Sequence, residues 1–293
     1  MISVSQSARR FLRFLPDKMF VGLQYAYKQG SFPDLENPET FNEKLQWLKL
    51  NYRNPLMKVC VDKCLARGYV EQRIGKEFLI PLLGVFDQVD QIDYEQLPER
   101  FVLKATHGSG WNAICHSKTD FDWHQARRNL AGWLKQSFYP VGREWAYSDP
   151  TPRIVCEEFL ADESGCSPAD YKVFCFHGKP AFVQVDYARF SSHTRNLYTL
   201  NWERIACELE YPGEPAPPAA PKNLAKLLEV AAELSAPFPF VRVDLYALEG
   251  EIYFGEMTFY PGKGVERFRP ASFDHTFGEL LDLSKIPGYA SEE

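Results

Sequence analysis

The sequence predicts an α+β fold on three observations. Strand-like runs crowd the chain beyond residue 79, helical patterns fill most of what precedes it, and successive strand runs are joined by short turns rather than by regular helical crossovers. A chain of 293 residues can bury a sizeable core, as one large domain or as two to three interlocked smaller ones. Apolar residues at 45% and charged residues at 25% match a soluble globular enzyme. The net charge of -6 argues against a general affinity for nucleic acid, while leaving room for a local basic pocket that holds a phosphate.

Residues 7–30 read as a helix in which Phe11, Leu12, Phe14 and Leu15 lie beside Arg9, Arg10 and Arg13. Such a basic amphipathic start is either an ordinary packed helix or a peripheral contact with a membrane surface. Residues 1–10 lack the apolar centre of a signal peptide, and no stretch approaches the roughly 18 apolar residues of a membrane span. The expected location is cytoplasmic, at most peripheral to the inner face of the membrane. Thr40 and Glu43 have capping-box spacing ahead of a helix carrying Leu45, Trp47, Leu48 and Leu50. A further helix is expected over residues 55–74, ending at Gly75.

Strands are expected at residues 79–83, 101–105, 154–160, 171–176 and 180–187, with a helix at about 123–138. Five prolines and a glycine between Tyr211 and Pro221 mark a loop. A helix over 223–235 and strands at 241–246 and 252–259 complete the pattern. The seven cysteines read as reduced, buried thiols; Cys60 and Cys64 lack a second Cys/His pair at zinc spacing. Neither the G-x-G-x-x-G dinucleotide fingerprint after a strand nor the Walker phosphate loop is present.

Three stretches carry chemistry. In residues 101–112 an apolar strand bears Lys104 and runs into His107-Gly108-Ser109-Gly110, where backbone N–H groups can approach an anion and the lysine adds a point charge. In residues 154–160 two adjacent carboxylates, Glu157 and Glu158, interrupt an apolar run; neighbouring strand residues face opposite ways, so one points to a site and the other to solvent. Lys172 opens the next strand as either a solvated edge residue or a second phosphate contact. The third stretch is the most informative. Arg242, Asp244 and Tyr246 share a strand face, and residues 252–259 return after a short turn. A three-residue loop pairs Asp244 with Glu256 and Arg242 with Thr258, whereas a two-residue loop pairs Asp244 with Gly255. In the first register two carboxylates are cross-strand neighbours, unfavourable without a cation and sensible around Mg²⁺.

In their order these segments resemble the ATP-grasp superfamily: Lys104 with its glycine loop, Glu157-Glu158, Lys172, then Arg242-x-Asp244 and Glu256-x-Thr258 with Pro261-Gly262. More closely the chain resembles the TupA-like branch, named for teichuronopeptide biosynthesis, through residues 41–48, Val61-Asp62-Lys63, 101–110, Asp170-Tyr171-Lys172 and 242–246. The resemblance runs from about residue 15 to residue 281.

It implies a helical N-terminal segment (1–58) and two α+β subdomains (59–165 and 166–293) clasping ATP. Lys104, Lys172 and the loop His107 to Gly110 would contact phosphates, and the hinge at Glu157 and Glu158 would meet adenine largely through backbone groups. Asp244 and Glu256 would hold Mg²⁺ and Arg242 would steady the transferring phosphoryl group, with Lys172 beside it. Thr258 stands where such ligases usually carry asparagine, so its part as third metal ligand is open. Asp186, Arg189, His193, Arg195 and Gly262 are candidates for substrate contacts. The implied reaction is an ADP-forming carboxylate–amine ligation, joining an amino acid to a uronic-acid carboxylate of a cell-surface polysaccharide or its precursor. The alternatives are a phosphotransferase acting on a sugar hydroxyl and a non-catalytic nucleotide-binding assembly protein.

Overall fold

The computed structural model describes residues 14–161, 168–187, 192–215 and 219–289. Most of the expected basic helix start, residues 7–13, therefore lies outside the described residues. The chain proceeds through α1 (Asp17–Gln29), α2 (Phe41–Asn51), α3 (Pro55–Val61), α4 (Leu65–Ile74), β1 (Leu82–Phe86), β2 (Phe101–Ala105), β3 (Asn112–Cys115), α5 (Trp123–Leu134), α6 (Tyr139–Gly142) and β4 (Ile154–Glu158). It continues through β5 (Asp170–Phe176), β6 (Lys179–Tyr187), β7 (Thr194–Tyr198), β8 (Arg204–Ile205), β9 (Glu208–Leu209), α7 (Leu224–Ser235), β10 (Phe240–Leu248), β11 (Glu251–Thr258), β12 (Phe268–Arg269) and α8 (Ser272–Glu279).

Two antiparallel sheets organise these elements. The smaller has strand order β1-β4-β2-β3 and the larger β11-β10-β5-β6-β7-β8. Each has its own core. Phe101, Leu103, Ile154 and Cys156 of the smaller sheet pack with Leu130 of α5. The larger sheet buries Val173, Phe174, Val183, Val241 and Val243 against α2, α3, α4 and α7. The alternation of buried Phe101, Leu103 and Ala105 along β2 leaves Lys104 on the other face.

The helix starts follow from capping. Thr40 accepts from Glu43 N while Glu43 accepts from Thr40 N, the reciprocal pair that the spacing predicts. The single helix expected over 55–74 is instead two. Asp62 accepts from both Cys64 N and Leu65 N, capping α4 and forcing a break that places Lys63 on the connecting turn. The strand expected at 79–83 begins later, at Leu82, because Leu79 makes only an isolated bridge to Phe254 and Pro81 has no N–H to donate. The expected helix at 123–138 stops at Leu134. The described cysteines are unpaired thiols, all buried but Cys64.

The β10–β11 hairpin resolves the two registers in an unanticipated way. Its turn is the two-residue one, Glu249-Gly250, both with positive φ, so Leu248 opposes Glu251. A bulge then shifts the register between Asp244 and Leu245, leaving Gly255 as the extra residue and restoring Asp244 opposite Glu256 and Arg242 opposite Thr258. A Cβ at Gly255 would lie 2.9 Å from the Asp244 carbonyl oxygen, so only glycine fits the bulge without a shift.

Candidate active site

Four basic side chains from four separate segments converge on the bulged hairpin. Lys63 comes from the α3–α4 turn, Lys104 from β2, Lys172 from β5 and Arg242 from β10. Burial alone would raise the Glu256 carboxyl, but Lys63, Arg242, Lys172 and Lys104 together lower it below its usual range. Lys63 Nζ lies 3.9 Å from Glu256 and donates to Gly108 O at 2.6 Å, tying the glycine loop to the hairpin. Burial, aided by neighbouring Lys104, lowers the Lys63 ammonium despite the pull of Glu256.

Arg242 does not stand one strand step away from Asp244, as spacing alone suggests. Its Nε and Nη2 both donate to Asp244, each at 2.7 Å, and Nη2 also donates to Thr258 Oγ1 at 3.2 Å. Burial raises the Asp244 carboxyl against the pull of Arg242 and Lys172. Lys172 is only 3% exposed and sits among three carboxylates: Asp170, Asp244 at 3.6 Å and Asp186 at 3.9 Å. It is therefore a buried cation and not a solvated edge lysine.

On the smaller sheet Lys104 donates to Glu157 at 2.6 Å, and Arg67 donates to the other Glu157 oxygen at 2.8 Å. Glu158 is exposed, so the adjacent pair splits inward and outward as strand geometry requires. Glu158, Phe159 and Leu160 border a slot of about 100 Å³ with Val102, Lys104 and Ile114 on one wall and Tyr246 of the larger sheet on another. A mostly apolar slot lined by a lysine suits a heteroaromatic base followed by phosphates.

The glycine loop is shaped by close approach. A Cβ on Gly108 would meet the Trp111 ring at 2.5 Å, and Gly110 has a φ of 73°. Ser109 lines a cavity of about 520 Å³ with Arg242, Glu256, Thr258 and Gly262. His107 differs from the expectation of a phosphate contact. Its imidazole is buried, Nε2 lies within hydrogen-bond reach of the carbonyls of Trp133 and Gln136, and burial lowers its pKa. It is a neutral anchor between loop and α5, and any contact from this position falls to the backbone.

The substrate candidates separate. Gly262 lines the 520 Å³ cavity at a φ of 55°. Arg189 lies outside the described residues. Asp186 and Arg195 oppose one another across β6 and β7 and form a buried pair, with Arg195 Nε donating at 2.5 Å and His193 Nε2 at 3.2 Å from the same Asp186 oxygen. Arg195 Nη1 also donates to Glu266 at 2.8 Å and to Leu209 O at 3.2 Å, and its guanidinium packs over the Tyr211 ring, so it is committed to protein partners and meets the cavity through Glu266 and Tyr211. Asp186 sits well below the usual carboxylate range, because Arg195 and Lys172 outweigh the cost of burial.

Sequence reasoning also missed residues. Lys63 lay within a supporting motif but had no assigned role. Arg67, Glu144, Tyr147 and Glu266 carried no periodic signal, and Tyr260 and Lys263 read only as part of a flexible loop, residues 260–264, next to the proposed metal. A larger cavity of about 820 Å³ beside Lys222, Asn223 and Gly250 holds none of the converging charges, so the chemistry belongs to the smaller one.

The donor set suits magnesium. Mg²⁺ is commonly held by one or two carboxylates and completes its shell with phosphate oxygens and water, which Asp244, Glu256 and the Thr258 hydroxyl can accommodate. Among the described residues no group of three or more His, Cys, Asp or Glu forms a protein-only cage.

A protein-family model described as TupA-like ATP-grasp matches residues 43–282. A search of curated proteins finds no match. Among solved structures, D-alanine–D-alanine ligase from Bacillus anthracis complexed with ATP superposes with a TM-score of 0.43 at 12% identity, covering 76% of this chain and 63% of that one. The ATP-grasp ligase PsnB complexed with minimal precursor gives 0.43 at 10% identity, covering 82% and 66%. D-cycloserine synthetase DcsG gives 0.42 at 17% identity, covering 78% and 72%. The chain thus spans less than two thirds of the first two structures' length.

Proposed function

Because the chain belongs to the TupA-like ATP-grasp family, we propose that it is an ATP- and Mg²⁺-dependent, ADP-forming carboxylate–amine ligase. Its substrates on this reading are an amino acid and a uronic-acid carboxylate of a cell-surface polysaccharide or its precursor, joined through an acyl phosphate. The observation that carries the reading is the convergence of Lys63, Lys104, Lys172 and Arg242 on Glu256, beside Asp244, with Arg242 and Glu256 lining the 520 Å³ cavity and Lys104 lining the apolar slot. Phosphoryl transfer to a carboxylate asks the protein chiefly for positioning and for charge to meet developing negative charge, and this cluster supplies both. Bound Mg²⁺ would neutralise phosphate oxygens. The chain's part is to hold it with Asp244, Glu256 and Thr258, which requires Arg242 to release at least one Asp244 oxygen.

The division into residues 1–58, 59–165 and 166–293 belongs to the same reading, supported by a separate small core drawn from residues 89–156. What supports peripheral membrane contact is the exposure of Met19, Leu23 and Tyr27 along one stripe of α1, with Phe14 and Phe32 nearby. No helix among the described residues is long and apolar enough to cross a membrane. Co-sedimentation with phosphatidylglycerol vesicles, lost in Met19→Glu/Leu23→Glu, checks that contact.

An ADP-release screen of uronic acids paired with amino acids, with mass spectrometry of the product, tests the function. A ligase releases ADP and phosphate only when both substrates are present and yields an amide. Phosphate retained on a sugar product would show a kinase, and no release with any pair would leave the assembly protein.

The lysines give a second expected result. Lys104→Ala should weaken ATP binding by about 1.5–3 kcal/mol, the worth of a charge-assisted hydrogen bond, and should stay folded because Arg67 still pairs Glu157. Lys172→Ala should weaken ATP binding comparably but also lower the melting temperature, since it leaves Asp170, Asp186 and Asp244 short of a cation. Calorimetry that finds unchanged ATP affinity in both variants would remove these lysines from the site.

A further inference from the structure

The 520 Å³ cavity has a second wall that the phosphoryl chemistry does not use. Glu144 and Tyr260 line the cavity together with the hairpin residues Arg242, Glu256 and Thr258. Glu144 is 7% exposed and Tyr260 only 3% exposed. The Tyr260 hydroxyl is buried without a hydrogen-bond partner among the described residues, which is costly unless something completes it. The charged groups around Glu144 come from two directions: Lys49 of α2, and Lys263 of the turn after β11, with the Tyr147 and Tyr260 phenols also facing it. Lys49 is held by Gln46 Oε1 and Lys263 O, each at 2.8 Å, so its ammonium balances Glu144 from a distance.

We propose that this wall binds the amine nucleophile, with the Glu144 carboxylate taking a proton from its ammonium group while the Tyr260 hydroxyl hydrogen bonds to it. The proposal rests on the ligase reading and extends it to the second half-reaction. An ammonium group has no lone pair for attack. Once Glu144 accepts one proton, the amine nitrogen bonds to the carbonyl carbon of the acyl phosphate, and the bond from that carbon to the phosphate oxygen breaks. The leaving phosphate carries away the second proton as hydrogen phosphate. One amide, one hydrogen phosphate and one protonated Glu144 result, and the protons and charges balance.

The environment of Glu144 suits the task. Burial raises its carboxyl to about 7, against the opposing pull of Lys49 and Lys263, so its proton affinity is matched to neutral pH. Lys49 is lowered to about 8 by the same burial. A proton arriving on Glu144 therefore discharges a buried carboxylate instead of creating a new charge.

Hydroxylamine separates the steps, because it is largely unprotonated at neutral pH and needs no base to trap an acyl phosphate as a hydroxamate. With D-glucuronate as the carboxylate, Glu144→Gln should form hydroxamate at the wild-type rate, while amide formation with glycine falls by about 10²-fold or more. Tyr260→Phe should raise the KM for glycine and leave hydroxamate formation unchanged. Retained hydroxamate formation also shows that each variant is folded. Equal loss of both products in Glu144→Gln and Tyr260→Phe, or loss of neither, would overturn the proposal. If the wild type forms no hydroxamate, the ligase reading fails first and this proposal with it.

Discussion

Asp244→Asn should abolish turnover and cost on the order of 3 kcal/mol of stability, whereas Glu256→Gln should abolish turnover at a cost below about 1 kcal/mol. The difference follows from what each carboxylate does in the folded chain. Asp244 is 3% exposed and takes both hydrogen bonds of the Arg242 fork, so an amide there leaves a buried guanidinium without its countercharge. Glu256 has a side chain 37% exposed, no closer than 3.9 Å to any of its cations. The sequence by itself suggests that removing either carboxylate relieves repulsion between cross-strand acids. The structure reverses that expectation for Asp244, because its carboxylate is the countercharge of the buried Arg242 fork and lies 3.6 Å from Lys172. Thermal melting and turnover on both variants check the pair of outcomes. Near-wild-type turnover with Mg²⁺ in either variant would remove that residue from the metal site.

Periodicity made the faces legible and left the contacts hidden. Alternation along β10 placed Arg242 and Asp244 on one face, and alternation along β4 split Glu157 from Glu158. Both follow from the period of two that every strand shares. The hairpin's loop length and its bulge were a different matter. The two-residue turn and the bulge at Gly255 each shift the register by one, and together they restore the pairing of Asp244 with Glu256 that a three-residue loop alone would give. No spacing rule reports two compensating shifts. Lys63 was hidden because a cap at Asp62 breaks what reads as one continuous helix, and a turn residue carries no face. Arg195 read as a free donor since its partners, Asp186 and Glu266, are set by the β6–β7 register and by a contact 71 residues along the chain.

Arg242→Lys should lower kcat by about 10²–10³-fold while changing ATP affinity little. A guanidinium donates through a planar fork, and here that fork is occupied by Asp244 with one arm shared to Thr258. Lysine keeps the charge but can offer only a point donor, so it neutralises Asp244 without reproducing the two-bond geometry. If the fork serves only to hold Asp244, the variant should lose thermal stability, ATP binding and the metal requirement together. If Arg242 instead moves one arm to the phosphoryl group as negative charge develops there, the loss falls on the transition state, because the ground-state charge near ATP is unchanged. The position supports the second outcome: Arg242 lines the same cavity as Ser109, Glu256 and Thr258, and Lys172 lies 3.6 Å from Asp244, ready to hold that carboxylate when the arginine releases it. Measuring kcat, ATP affinity and melting temperature on this single variant separates the two. A destabilised protein whose turnover falls only in proportion to its lost ATP binding would end the catalytic assignment.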